Sequence, residues 1–372
     1  MTALVHITPH FPPQFDGLGD YAHLLACQLK TDHAIETRFV VSDPEWRSAA
    51  GANAFAAEAL LEKSSDALLR ALGDAPCVLL HYVGYGYHSR GVPLWLERGL
   101  RRWKNASSSR RLIVVFHELW AAGPPWRSEF YLSPIQRRIV VRLHRLSDAA
   151  VTSTPVMKRI LEKITSGKTT CQPVASNLPA IPFASRKPQA TDGVRIVFFG
   201  LEASRLRSVQ THEKLLHALH AEGLLTGVEA VGKSARTGET PSADVKLLRS
   251  LVSPGIITAS GDVPPGEAAA RLAQADLFLS FYPSALVCKS GAFMAALACG
   301  CVPVIREAKD AAPLVEGREL LACDGSPASI SRLVSLIRSG ALGKIAEAGW
   351  RWRDQNASWS GAARHIAALL HP

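Results

Sequence analysis

The chain has 372 residues, 20% of them charged and 47% hydrophobic, with a formal net charge of +10; that length exceeds one typical core and points to two globular domains. No run reaches the ~18 apolar residues that cross a bilayer, and the start MTALVHITPHF lacks the basic and apolar regions of a signal peptide. Seven scattered cysteines without a C-x-x-C pair suit a reducing cytoplasm, and the lone C-x-C of Cys299 and Cys301 reads as small core residues better than as a metal site.

Residues 4–7 read as a first strand and 19–29 as a first helix. In the loop between them, Gly17 and Gly19 would let backbone approach a ligand at the helix start, and Asp20 can serve the helix N-terminus. The third glycine of a dinucleotide fingerprint is missing. Residues 38–41 form a second strand, followed by a long helical stretch through residue 72. The buried strand at 77–82 opens into HYVGYGYHSRG, which gathers Tyr82, Tyr85, Tyr87 and His88 around Gly84 and Gly86. Such a cluster suits an acceptor pocket; a loop packing on itself would look the same. The strand at 112–116 delivers His117 and Glu118 to its end, where a histidine serves as donor, general base or structural residue. A basic amphipathic helix at 135–146, a strand at 149–152, a helix at 155–164 and a strand end turning at Asn177 complete the first half.

The charge is uneven. The first 190 residues hold 23 Lys and Arg against 15 Asp and Glu, and between 98 and 145 eleven basic residues face only Glu118 and Glu129. A basic face fits an anionic membrane surface or lipid phosphate, although a solvated Arg-rich helix has the same composition. No nucleic-acid-binding motif is present, so nucleic acid is not an expected partner.

The polar stretch FASRKPQATDG reads as a linker. The βα rhythm restarts with a strand at 194–199 ending at Gly200. A helix at 209–221, a strand at 228–231, a helix at 243–251 and a strand at 256–258 follow, and residues 267–274 lead into the next unit. Residues 275–305 then parse as a buried strand at 277–281, a loop at 282–288, a helix running from 289 to 299 that stops at Gly300, and a strand at 302–305. In open α/β sheets the carboxyl end of a strand is where ligands bind. Lys289, Ser290 and Gly291 at that helix start would seat phosphate oxygens, and would equally suit a buried helix with a Ser cap and a solvated Lys. Helices at 326–339, 342–353 and 361–370 end the chain. Two alternating runs of this kind give an α/β protein of two Rossmann-like domains.

The order P-P-x-F-D-G-L-G-D-Y, His117-Glu118, an S-N-x-P near the linker and F-F-G opening the second half resemble the family 4 glycosyltransferases (glycosyltransferase group 1) of the GT-B fold. The densest likeness is SGDVPPGEAAARLAQADLFLSFYPS followed by AALACGCVPVI. The resemblance implies two Rossmann-like domains facing a central cleft: an acceptor domain at 1–185, a linker at 186–193, a donor-binding domain at 194–355, and a terminal helix at 356–372 crossing back. It implies retaining transfer of a sugar, hexosyltransferase-like, from a nucleotide-diphosphate sugar, with no metal or other cofactor. No Asp-x-Asp, the usual metal–diphosphate clamp, occurs.

On this reading His117 sits near the transferred sugar, holding a hydroxyl. The expected donor-binding residues are Gly17, Gly19, Gly200, Arg205, Arg207, Lys289, Ser290 and Gly291; the expected acceptor-binding residues are Tyr82, Tyr85, His88 and Glu118. The implied partners are a nucleotide sugar and a sugar or lipid-linked acceptor of polysaccharide or glycolipid biosynthesis, with peripheral contact at the inner face of an anionic membrane. The sequence departs from the family where its two glutamates fall on Val287 and Ala295, and where its Arg and Lys fall on Leu201 and Leu206. Those departures keep open a nucleotide-sugar-binding protein without transferase activity, or a sugar-nucleotide epimerase.

Overall fold

The structure, a computed structural model, describes residues 3–14, 16–47, 55–185, 192–234 and 241–370. The chain divides into two compact units, Met1–Pro173 with Trp359–Pro372, and Val174–Ser358. In the first, the apolar runs become strands β1 (Ala3–Thr8), β2 (Glu36–Val41), β3 (Ala56–Ala59), β4 (Cys77–Tyr82), β5 (Arg111–Phe116), β6 (Ala149–Thr152) and β7 (Thr169–Cys171). They form one parallel sheet in the order β3-β2-β1-β4-β5-β6-β7. The second unit holds β8 (Val194–Phe199), β9 (Leu225–Val231), β10 (Ile257–Gly261), β11 (Leu277–Leu279), β12 (Val302–Ile305) and β13 (Leu321–Ala322). Its parallel order is β10-β9-β8-β11-β12-β13. Parallel neighbours require crossovers, and helices provide them. In each sheet the strand order reverses once, at β1/β4 and at β8/β11, the crevices where such sheets bind ligands.

Strand parity builds the cores. Val5 and Ile7 of β1, Val78, Leu80 and Tyr82 of β4, and Leu112, Val114 and Phe116 of β5 all enter one buried apolar cluster. The alternate residues, His6, Leu79, His81, Ile113 and Val115, lie on the opposite face of the sheet and are also buried. In the second unit Ile196, Phe198, Val228, Leu277, Leu279, Val302 and Val304 fill the equivalent role.

The last helix, Trp359–Leu370, packs within the first unit. Ser360 Oγ accepts from Gln28 Nε2 at 3.1 Å, the Leu369 carbonyl accepts from Arg111 Nε at 2.6 Å, and His365 Nε2 meets Thr170 Oγ1 at 2.7 Å.

Several expected elements differ. The long helix through residue 72 is instead the edge strand β3 and a short helix, Ser65–Leu72, capped by Ser64, whose side chain accepts from Ala67 N at 3.2 Å; residues 48–54 of that stretch lie outside those described. The run AAEA has no intrinsic strand signal and pairs because β2 offers an edge, tied further by Arg38 to Glu58 at 3.0 Å. The helix at 209–221 is two helices, Glu202–Thr211 and Glu213–Ala221. They break at His212, which is buried and donates from Nε2 to the Ser280 carbonyl at 3.1 Å. The strand end near Asn177 is absent, the preceding strand being β7.

The second unit starts at Val174 because residues 174–181 are bonded to it. Val174 N donates to Cys288 O at 3.0 Å, Ile181 N to Ala298 O at 3.1 Å, and Trp350 Nε1 to Ile181 O at 2.9 Å. Of the expected linker at 186–193, residues 186–191 lie outside those described. Among the described residues no helix is long and apolar enough to cross a membrane.

Candidate functional site

The carboxyl edge of the first sheet is organised by a diagonal of histidines. His6 pairs in register with Leu79, and His81 with Val115. Each imidazole therefore sits two residues further toward the carboxyl end on the next strand over, and His117 follows β5 by one residue. Diagonal neighbours on one face are within reach of ring side chains. His6 Nδ1 lies 3.4 Å from His81 Nε2, and His81 Nδ1 lies 3.2 Å from His117 Nε2. His6 and His81 are fully buried. Burial, with the neighbouring His81, holds His6 well below the usual histidine range, and burial takes His81 down to about 3.

Tyr21 sets the edge of its ring against His117, with centroids 5.3 Å apart, and lies 5.1 Å from Trp359 of the last helix. The three imidazoles run in line rather than converging. Among the described residues no group of three or more His, Cys, Asp or Glu side chains is placed to hold a metal ion. Of this set only His117 was expected from the sequence. The signal for the others was a histidine at matching parity in two further apolar strands.

The other expected residues of this unit fall into two groups. His88 and Glu118 lie in the loops past β4 and β5. His88 accepts from Arg90 N through Nδ1 at 3.1 Å, and Glu118 is exposed. Tyr85 is 42% exposed, and its hydroxyl accepts from Gln136 Nε2 at 3.2 Å. Buried Gln136 also donates to Arg90 O at 3.0 Å and accepts from Ala121 N at 2.8 Å. It ties the segments past β4 and β5 together, a role with no sequence signal.

Tyr82 is a correction. Parity points it into the apolar core against Phe116, where it is fully buried and no ligand reaches it. Tyr87 is also buried, its hydroxyl 2.9 Å from His81 O and 3.1 Å from Ile7 O, pinning β1 to β4. Gly19 is corrected too. Its N–H is taken by Asp16, the actual helix cap, at 2.8 Å, and an added Cβ would lie 2.8 Å from His10 O. Its small size therefore serves helix-to-loop packing. Gly17 is exposed at the first position of that helix, with open space around it. Asp20 does not cap; its carboxyl is pushed up to about 6 by burial and by Asp16.

The second unit's edge is built from backbone. Gly200 N donates to Val231 O at 3.1 Å, and Gly232 N to Gly261 O at 2.8 Å, stitching the ends of β8, β9 and β10. Gly232 has φ of 121°, and a Cβ there would lie 2.3 Å from Gly200 O, so only glycine fits. Arg205 is 2% exposed and committed to this frame. Its Nε donates to Asp244 Oδ2 at 2.6 Å, and its Nη1 to Gly200 O at 2.6 Å and Gly232 O at 2.9 Å. It is thus a structural brace and not a cation open to a donor. Arg207, two residues on, is exposed, with its guanidinium 5.7 Å from the ring centroid of Phe281 just past β11.

Lys289 ends the 3₁₀ turn Ser284–Lys289 and is half-buried. Ser290 caps the helix Gly291–Ala298, accepting from Phe293 N at 3.2 Å, while its carbonyl accepts from Met294 N at 3.0 Å. Gly291 is exposed with open space around it. The helix ends before Gly300, whose φ is 72°. Val287 and Ala295 are each 1% exposed, packed as core residues.

No protein-family profile matches the chain, and no curated protein matches it by sequence. Solved structures do match it over its whole length. Anabaena HepE, in complex with UDP-glucose, is 12% identical with a TM-score of 0.62, covering 99% of each chain. A glycosyltransferase from Rickettsia africae is 11% identical at TM-score 0.64, covering 99% of this chain and 98% of its own. WaaG, a glycosyltransferase involved in lipopolysaccharide biosynthesis, is 13% identical at 0.58, covering 99% and 100%. The chain has the GT-B fold. Both parallel sheets of this GT-B chain and its terminal helix fall inside that likeness.

Proposed function

We propose that the protein is a retaining, metal-independent glycosyltransferase that moves a sugar from a nucleotide-diphosphate sugar to a sugar or lipid-linked acceptor. The observation that carries this reading is the GT-B fold over the full chain, shared with HepE, whose structure holds UDP-glucose, and with WaaG. Breaking the sugar–phosphate bond builds negative charge on the diphosphate, so the protein must supply positive charge there. Lys289 and Arg207 would supply it, together with the N–H groups of Gly291 and Ala292, which a helix start leaves unmatched. The incoming hydroxyl would attack from the leaving group's side, a phosphate oxygen taking its proton. In the first unit His117 would hold a hydroxyl of the transferred sugar.

A thermal-shift panel of nucleotide-diphosphate sugars tests the reading. A ligand at ~100 times its Kd adds about 2.7 kcal/mol, enough to raise Tm by several degrees; a panel without any shift would count against it. Burial of Val287 and Ala295, where the resemblance puts sugar-gripping glutamates, favours a second reading: a protein that binds the nucleotide sugar without transferring it. Shifts in melting without turnover would select that one, and interconversion of sugar nucleotides would select an epimerase.

The membrane partner is supported by the helix Ser128–Leu146. Trp126, Phe130, Tyr131 and Ile135 are exposed beside exposed Arg127, Arg137, Arg138, Arg142 and Arg145, and residues 130–147 contain no Asp or Glu. An anionic bilayer fits both halves of that surface, with about 1 kcal/mol for each basic side chain near it. Sedimentation with vesicles should rise with anionic lipid and fall with salt; indifference to lipid charge would remove the membrane from this account.

A further inference from the structure

The basic residues between 98 and 145 divide into two sets. On and after the helix Leu94–Asn105 three are closely paired: Arg102 meets Asp66 at 2.6 Å, Lys104 meets Asp148 at 2.9 Å, and Arg110 meets Asp74 at 2.9 Å. On the helix Ser128–Leu146 the charges stay open. Arg137, Arg138 and Arg145 have no ion-pair partner among the described residues, and Arg142 reaches buried Glu97 only at 3.8 Å.

The first two turns of that helix lack what holds a helix in place. Arg127, at the N-cap, makes no side-chain cap bond, and Pro134 inside the helix removes one N–H donor. None of residues 130–135 is buried. From Gln136 onward the helix docks, with Ile139, Val140 and Leu143 in the apolar core. Helices in proteins are held mainly by the face they bury, and the exposed Phe130, Tyr131 and Ile135 have no such face to join. A bilayer interface would supply it, and the open arginines select an anionic one.

The junction between the two halves is joined to the carboxyl edge of the first sheet. Gln136 is 2% exposed; its Nε2 donates to the Tyr85 hydroxyl and to Arg90 O, and its Oε1 accepts from Ala121 N. Gly91, with φ of 66°, makes room for it, since a Cβ there would lie 2.6 Å from Gln136 Nε2. The next residue, Arg137, sets its guanidinium 5.6 Å from the ring centroid of Trp120. Two consecutive helix residues thus hold the segments past β4 and β5.

We propose that an anionic bilayer completes the first two turns of this helix and, with Gln136 as the positioning residue, orders the segments past β4 and β5. The sheet edge is then set most firmly when the protein is on the membrane. This rests on the membrane partner proposed above and is independent of sugar transfer.

Hydrogen exchange of the full chain, followed by mass spectrometry with vesicles of equimolar phosphatidylglycerol and phosphatidylcholine, tests it. Exchange should slow roughly tenfold or more in peptides covering 130–135 and also in those covering 88–91 and 119–121. Gln136→Leu, checked for folding by circular dichroism, should keep the slowing at 130–135 and lose it in the other two segments. If that variant does not fold, the wild-type exchange decides alone. Slowing confined to 130–135 in the wild type, or an unchanged response of all three segments in folded Gln136→Leu, would overturn the inference and leave the membrane partner standing. No sedimentation with the vesicles would remove both. Slowing that appears with protein concentration and without vesicles would assign the face to a second copy of the chain, and would also overturn the inference.

Discussion

The two sheet edges are built in opposite ways. In the first unit the edge is built on ring side chains, with His6, His81 and His117 in a row across β1, β4 and β5 and Tyr21 at about right angles to the last two. In the second it is backbone held in place by Gly200, Gly232, the Ser290 cap and the buried Arg205–Asp244 pair. Rings whose polar atoms can donate or accept suit the many hydroxyls of a sugar. A glycine-rich edge with a helix start and cations suits phosphate. The contrast also separates a charge that builds, Arg205, which holds loops together, from the charges proposed to bind, Arg207 and Lys289.

The largest expected effect tests that separation. Arg205→Leu leaves the fully buried Asp244 uncompensated and should destabilise the protein by about 3–5 kcal/mol in urea unfolding. A loss under ~1 kcal/mol would show that the pair does not frame the edge. Next is Lys289→Ala. A charge-assisted contact is worth about 1.5–3 kcal/mol, so binding of a nucleotide diphosphate, followed by calorimetry, should weaken roughly ten- to a hundredfold. A nucleoside without phosphates should bind both forms alike, and equal weakening of both would make Lys289 a bystander.

In the first unit, Asp20 provides a pH test. Its folded carboxyl is raised from 3.8 to about 6, so its contribution to stability is fully present below pH 3.8 and is lost as pH rises through 6. Asp20→Asn should therefore gain stability relative to wild type on going from pH 3.8 to above 6; the opposite trend in chemical unfolding would mean the charged form is favoured. The smallest effect is expected at Tyr82, whose buried hydroxyl has no partner. Tyr82→Phe should be neutral or slightly stabilising. A loss above ~1 kcal/mol would mean that the hydroxyl is bonded after all.

The strands that lie deepest were the most legible. β4 and β12 coincide with their apolar runs because such segments, buried on both faces, carry the signal in every residue, and β8 coincides too although Arg195 interrupts its burial. β3 was not legible, since its alanines pair only because β2 is beside them. For the candidate sites, the placement of Lys289, Ser290 and Gly291 at a helix start was readable from a strand, a loop and a helix adjacent in sequence. The roles of Arg205 and His117 were not, because each depends on a distant partner. Asp244 is 39 residues from Arg205, and His81 is 36 from His117. Only the register of parallel strands brings the histidines together.

The central claim is transfer from a nucleotide-diphosphate sugar without a metal. Incubating the protein with the nucleotide sugars that raise its Tm, in the presence of EDTA and without acceptor, tests it most directly. The account predicts slow release of nucleoside diphosphate and of free sugar with the donor's anomeric configuration. Release abolished by EDTA, free sugar of inverted configuration, or binding with no release from any donor would contradict it.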